Sequence, residues 1–179
     1  TEYFNAFTSS NYPKLAEIGV TIKYNTSYIQ SITNKKDEKL IVHTKMDDNV
    51  AILKLYPGIT EKAIANILAI PDLRAVIMET FGSGNAPSNE AFIALLKEAI
   101  DNGILIVSVT QCKGGGSVEI GKYATSLSLG KIGVISAYDM TLEAALTKLM
   151  FLLGKGLTYE EISRQMQRSL RGEITTPQT

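Results

Sequence analysis

Cysteine occurs once in this 179-residue chain, at Cys112, and histidine once, at His43. A lone thiol excludes an intramolecular disulfide and fits a reducing compartment. One cysteine and one histidine cannot supply a closed tetrahedral zinc shell, so no metal is expected. Charge of one sign is not in excess either: Lys plus Arg and Asp plus Glu stand at 18 each. Without a basic surplus there is no global field to gather nucleic acid or coat an anionic membrane, and neither is expected as a partner. Apolar runs such as residues 149–153 fall far short of the ~20 residues a membrane span needs. The opening Thr1-Glu2-Tyr3-Phe4 has no basic region, no apolar stretch and no initiator Met. It does not read as a secretory signal, and the expectation is that the chain begins inside a longer protein. There is no Gly-x-Ser-x-Gly elbow. Cys112 would need a base to act as a nucleophile. His43 lies in a polar stretch away from the regular part of the chain, so a buried or half-buried structural thiol is expected instead. The chain shows no self-sufficient catalytic set and calls for no cofactor.

What is present is a change of texture near residue 49. Residues 1–48 are polar and poorly periodic, with a charged connector at Thr33-Asn34-Lys35-Lys36-Asp37-Glu38-Lys39 and short extended pieces at 16–24 and 40–44. From residue 49 strands and helices alternate. Strands are predicted at 50–55, 75–78, 104–109 and 133–135, with helices at 60–68, 90–100, 124–129, 141–153 and 159–170. Thr60, Ser88 and Thr158 are the predicted caps of the first, second and last helices, and Asp139 or Thr141 of the fourth. The Leu/Met stripe of that fourth helix suits packing on a sheet, or on a partner subunit. Repeated strand–helix units imply a parallel four-stranded sheet flanked by helices, a three-layer α/β/α arrangement. In such sheets ligands bind beyond the carboxyl ends of the strands. Those ends carry Tyr56-Pro57-Gly58, the stretch 79–87 and the stretch 110–116.

Two of these loops are candidates. In Gly82-Ser83-Gly84-Asn85-Ala86-Pro87 the glycines permit close backbone approach, and Asn85 offers both a donor and an acceptor. The third glycine of a dinucleotide fingerprint and a Walker lysine are both absent, and the loop reads equally as a tight strand-to-helix turn. In Thr110-Gln111-Cys112-Lys113-Gly114-Gly115-Gly116-Ser117-Val118-Glu119 three successive glycines suit a segment ordered by ligand, or simply a mobile surface loop. Glu119 can face a ligand ammonium group, or complement a helix dipole.

Taken together, Asn11-Tyr12-Pro13-Lys14-Leu15-Ala16, Leu55-Tyr56-Pro57-Gly58, Gly82-Ser83-Gly84-Asn85-Ala86-Pro87, Thr110-Gln111-Cys112, Tyr123-Ala124-Thr125, Gly133-Val134-Ile135, Asp139-Met140-Thr141-Leu142-Glu143-Ala144, Thr147-Lys148-Leu149 and Leu170-Arg171-Gly172-Glu173 resemble the C-terminal domain of the L-asparaginase family, type I branch. The archaeal glutamyl-tRNA amidotransferase component related to asparaginases shares several of these pieces. A non-catalytic small-molecule-binding or assembly domain is a further alternative. The resemblance implies hydrolysis of L-asparagine to L-aspartate and ammonia by a cytoplasmic homodimer or homotetramer. The family's threonine motifs, of the types Thr-Gly-Gly-Thr and His-Gly-Thr-Asp-Thr, do not occur here. It therefore implies that residues 1–20 end an N-terminal asparaginase domain, 21–48 connect, and 49–179 form the C-terminal domain. Asn85 and Glu119 then match substrate-binding positions. Thr110 and Cys112 match the lining of an allosteric asparagine site. Glu79 stands where an arginine would hold the effector's carboxylate, which implies that this activation is lost or altered.

Overall fold

The computed structural model describes residues 12–29, 41–112, 116–118 and 124–175. Near the start, β1 (Ala16–Ile18) and β2 (Ile22–Tyr24) form a short antiparallel hairpin, and all six strand residues are exposed. The other predicted extended piece does not form: residues 41–44 carry no strand, and Leu40 lies outside the described residues.

The body is a single parallel sheet of β3 (Val50–Lys54), β4 (Ala75–Thr80), β5 (Leu105–Thr110) and β6 (Ile135–Ser136), in the order β3-β4-β5-β6. Its crossovers are α1 (Glu61–Leu68), α2 (Glu90–Asp101) and α3 (Ala124–Lys131); α4 (Leu142–Gly154) and α5 (Tyr159–Met166) follow the last strand. When strand order follows chain order, crossovers of one hand all lie on one face. The packing agrees. Val76, Met78 and Ile106 meet Ile64 of α1, Phe92 and Leu96 of α2 and Leu129 of α3. The alternate residues Ala75, Ile77, Leu105 and Val107 meet Leu149 and Leu152 of α4 and Ile162 and Met166 of α5. Both faces are covered, giving the predicted three layers, and every residue of β4 is buried.

Local chemistry accounts for most element ends. The hydroxyls of Thr60, Thr141 and Thr158 accept from Ala63, Ala144 and Glu161 amides, and Glu161 completes a capping box with Thr158. Three sequence expectations need correction. The cap of α2 is Asn89, whose side chain accepts from the Phe92 amide at 2.7 Å, not Ser88; the Asn carbonyl sits one residue nearer the first turn, where it meets that amide. The last strand covers Ile135–Ser136, because Gly133 at φ +101° belongs to the turn closing α3. The last helix stops at Met166 rather than Leu170. Beyond it the chain folds back so that the Glu173 carboxylate receives the Leu170 and Arg171 amides.

The segment before β3 is strapped along α4. The Asp47 amide donates to the Met150 carbonyl at 3.1 Å, the Asp47 carboxylate pairs with Arg74 at 2.8 Å, and the His43 ring meets Phe151 edge-on at 5.4 Å. A side chain on Gly154 would stand 2.5 Å from the Lys45 carbonyl oxygen, so the crossing requires glycine.

Candidate functional site

The carboxyl edge of the sheet is built from loops fastened to one another. After β4, Phe81 and Asn85 exchange backbone hydrogen bonds at 2.9 and 2.8 Å, closing a tight loop with Gly82 and Gly84 at positive φ. Asn85 is exposed beside buried Gly84. At Gly84 an added Cβ would lie 3.1 Å from Val118 Cγ1, so the missing side chain lets the end of the second loop pack on the first. Val118 is in turn held over β6. Its amide donates to the Tyr138 carbonyl at 2.9 Å, and the Ser136 hydroxyl donates to its carbonyl at 2.5 Å. Tyr138 takes φ 51° to make this turn, a left-handed conformation uncommon in a non-glycine residue.

Gln111 ties three strand ends together. Its side-chain amide donates to the Leu55 carbonyl after β3 at 2.6 Å and to the Glu79 carbonyl in β4 at 2.8 Å, while its backbone amide continues from β5 to the Thr80 carbonyl. Thr110 is similarly committed: its hydroxyl donates to the Gly82 carbonyl at 2.6 Å and accepts from the Cys112 amide at 3.0 Å. The Thr80 hydroxyl, fully buried, donates to the Val109 carbonyl and faces Ser108. The Glu79 carboxylate is almost enclosed, and its ion-pair partner is Lys54 on the neighbouring strand at 3.7 Å.

Of the residues singled out from the sequence, the fold brings Glu79, Asn85, Thr110 and Cys112 to this edge. Glu119 lies outside the described residues. Cys112 is exposed, correcting the expectation of a buried or half-buried thiol: it follows the end of β5, where the chain has left the layers that would cover it. His43 stays on the α4 strap near the amino-terminal ends of the strands. No Cys–His pair forms among the described residues, and no cluster of three His, Cys, Asp or Glu there is placed to hold a metal. No helix among them is long and apolar enough to cross a membrane.

Two structural ties were not legible in the sequence. One is the Gln111 clamp, whose partners lie 56 and 32 residues away. The other is a buried ion pair, Lys148–Glu173 at 2.7 Å. Burial pulls the Lys148 ammonium below its ordinary range, and Glu173 only partly offsets that. Burial would raise the Glu173 carboxyl, but hydrogen bonds from Lys148 and from the Leu170 and Arg171 amides outweigh it and hold the group at about 2. A signal did exist: Lys148 stands with Ala145, Leu149 and Leu152 on the buried stripe of α4, and a lysine there needs a carboxylate.

The order of the sheet bears on what this edge can do. A doubly wound sheet makes its ligand crevice where strand order reverses. Here the order runs β3-β4-β5-β6 without reversal. Among the described residues the edge presents fastened loops and exposed Asn85 but no nucleophile–base pair, and a cavity of about 280 Å³ opens at the helix starts beside it, lined by Thr60, Ile64, Pro87, Asn89 and Phe92.

Residues 49–166 match the family described as Glutaminase/Asparaginase C-terminal domain. L-asparaginase 1 of Escherichia coli is 42% identical over 173 residues, 96% of this chain and 49% of that protein. The 60 kDa lysophospholipase of Mus musculus is 38% identical over 177 residues, 98% of this chain and 30% of its own length. A glutamyl-tRNA(Gln) amidotransferase component of Pyrococcus horikoshii is 35% identical over 141 residues, 79% of this chain and 31% of that protein. The crystal structure of L-asparaginase I from Vibrio cholerae superposes with a TM-score of 0.85 at 43% identity, covering 96% of this chain and 51% of that one. The chain thus spans about half the length of the asparaginases it matches.

Proposed function

The chain belongs to the glutaminase/asparaginase family through its C-terminal domain, and on that premise we propose that it is the C-terminal portion of a cytoplasmic L-asparaginase. The whole enzyme hydrolyses L-asparagine to L-aspartate and ammonia. In this reading residues 1–20 end the N-terminal domain, 21–48 connect, and 49–179 complete the substrate site and the interface of a homodimer or homotetramer. A threonine of the other portion attacks the side-chain amide carbon; ammonia leaves, and water then cleaves the resulting ester to release aspartate. This chain contributes Asn85, whose amide can donate to and accept from the substrate, and Glu119, whose carboxylate takes the substrate ammonium. The observation that carries the reading is the open carboxyl edge, with fastened loops around an exposed Asn85.

The test is ammonia release. With the whole enzyme, Asn85→Ala lowers kcat/KM by roughly tenfold to a hundredfold while leaving the melting temperature in place, and the present chain alone releases none. Ammonia from the chain alone, or an unimpaired Asn85→Ala enzyme, overturns the assignment. At the proposed effector site, lined also by Thr110 and Cys112, the Glu79 carboxylate repels an effector carboxylate. The rate should therefore rise hyperbolically with asparagine, and a sigmoidal curve lost on Glu79→Ala would refute this. The second reading, a component of a glutamyl-tRNA amidotransferase, is supported by the 35% identity to the Pyrococcus horikoshii protein. It requires activity that appears only with a partner protein and charged tRNA.

A further inference from the structure

A cavity that shares no residue with the loops of the carboxyl edge lies along α4, from Ala144 to Lys155. It encloses about 550 Å³ between that helix, the His43 strap and the turn that follows α5. This is within the roughly 300–1,000 Å³ of small-molecule sites. Phe151 and Leu170 give it an apolar floor, and Lys155 and Arg171 supply cations at its rim. Among the described residues Glu173 is its only acidic lining residue, and that carboxylate is saturated by the Lys148 ammonium and by the Leu170 and Arg171 amides. Lys148 is likewise consumed: besides Glu173, it donates to the Met166 and Arg168 carbonyls at 3.2 and 2.5 Å.

The buried pair therefore cancels within itself, and the excess charge of the cavity is the two rim cations. Lys155 lies over the Phe151 ring at 5.2 Å, with no carboxylate partner among the described residues. The Arg171 guanidinium donates through Nη1 to the Leu170 carbonyl at 2.9 Å, leaving most of its fork for a ligand. A cationic rim above an aromatic floor selects by charge and by flat apolar area together.

We propose that this cavity binds a small ligand that joins an anionic group, carboxylate or phosphate, to a flat apolar body. The anion meets Arg171 and Lys155, and the apolar body lies on Phe151 and Leu170. This site is independent of the amide-hydrolysing role proposed for the carboxyl edge.

Calorimetric titration of the 179-residue chain with four probes tests it: phenyl phosphate, benzoate, phenol and inorganic phosphate. At least one of the two probes that combine ring and charge should bind at least tenfold more tightly than phenol or inorganic phosphate. Arg171→Glu and Lys155→Glu should each weaken that binding by about tenfold or more. Both side chains are exposed, so the melting temperature should hold. If Lys155→Glu alters folding, Lys155→Gln carries the same expectation at smaller size. Lys23→Glu, on the distant hairpin, should leave binding unchanged. Equal binding of inorganic phosphate, indifference to the rim substitutions, or no binding by any probe overturns the proposal.

Discussion

The hairpin β1–β2 and the four-stranded sheet are both β-structure, yet they stand at opposite extremes of burial. Every strand residue of the hairpin is exposed, with Ile18 at 86% and Ile22 at 51%, whereas all six residues of β4 are buried. Two strands without a covered face are marginal in water. A parallel sheet must instead be covered on both sides before its backbone pairing is stable. The comparison teaches where the stability of this chain resides: in the layers around β4 and β5, with the hairpin contributing little until another surface covers it.

The largest way to break that contrast is to attack the buried pair that fastens the end of the chain to α4. Lys148→Ala strands the Glu173 carboxylate in a poorly solvated turn, and should cost roughly 3–5 kcal/mol in denaturant unfolding. A loss below ~1 kcal/mol would mean that the body does not depend on its C-terminal turn. The same pair governs the acid limb. Glu173 is depressed from 4.5 to about 2 in the folded state, so its contribution is complete above the unfolded value. It is lost as pH falls from about 4.5 toward about 2. Unfolding followed across that window should show stability dropping, and Glu173→Gln should flatten the slope.

A smaller effect is expected at the carboxyl edge. Gln111→Ala removes both donors from the Leu55 and Glu79 carbonyls, at a cost of about 1–3 kcal/mol. Because the clamp sets the edge and not the core, amide exchange should quicken in the loops after β4 and β5 and leave α4 unchanged. Uniform acceleration would show that the edge and the core are one cooperative unit. The smallest effect belongs to the hairpin: Ile18→Lys, at a fully solvated position, should change the stability of the chain by less than ~0.5 kcal/mol. A loss above ~1 kcal/mol would erase the contrast between the two regions.

Much of the body was legible in the residues. The apolar runs at 75–78 and 104–109 announced two strands, the second apolar on both faces, and Thr60 and Thr158, with Asp139 or Thr141 for the fourth helix, announced helix starts, because caps and periodicity are local. Adjacent Ser88 and Asn89 are both good caps, and only the chain's direction into the helix chose Asn89. The end of α5 was overestimated because what stops it is the return of Glu173 to the Leu170 and Arg171 amides, a tertiary event. At the site, Asn85, Glu79, Thr110 and Cys112 were placed on one edge by strand ends alone. That the Thr110 hydroxyl is taken up by the edge itself, and that Cys112 is exposed, were not readable, since both depend on where the neighbouring loop lies.

By itself, then, the order of amino acids determined the alternation of strands and helices, the parallel sheet and the edge at which the loops gather. Those follow from hydrophobic period, capping and chain connectivity, which act over a few residues. Tertiary structure alone decided that Gln111 reaches Leu55 and Glu79, that Lys148 is matched by Glu173, and that a cavity with a cationic rim opens beside Phe151. Each joins groups distant along the chain, and such encounters are set by how the layers close on one another.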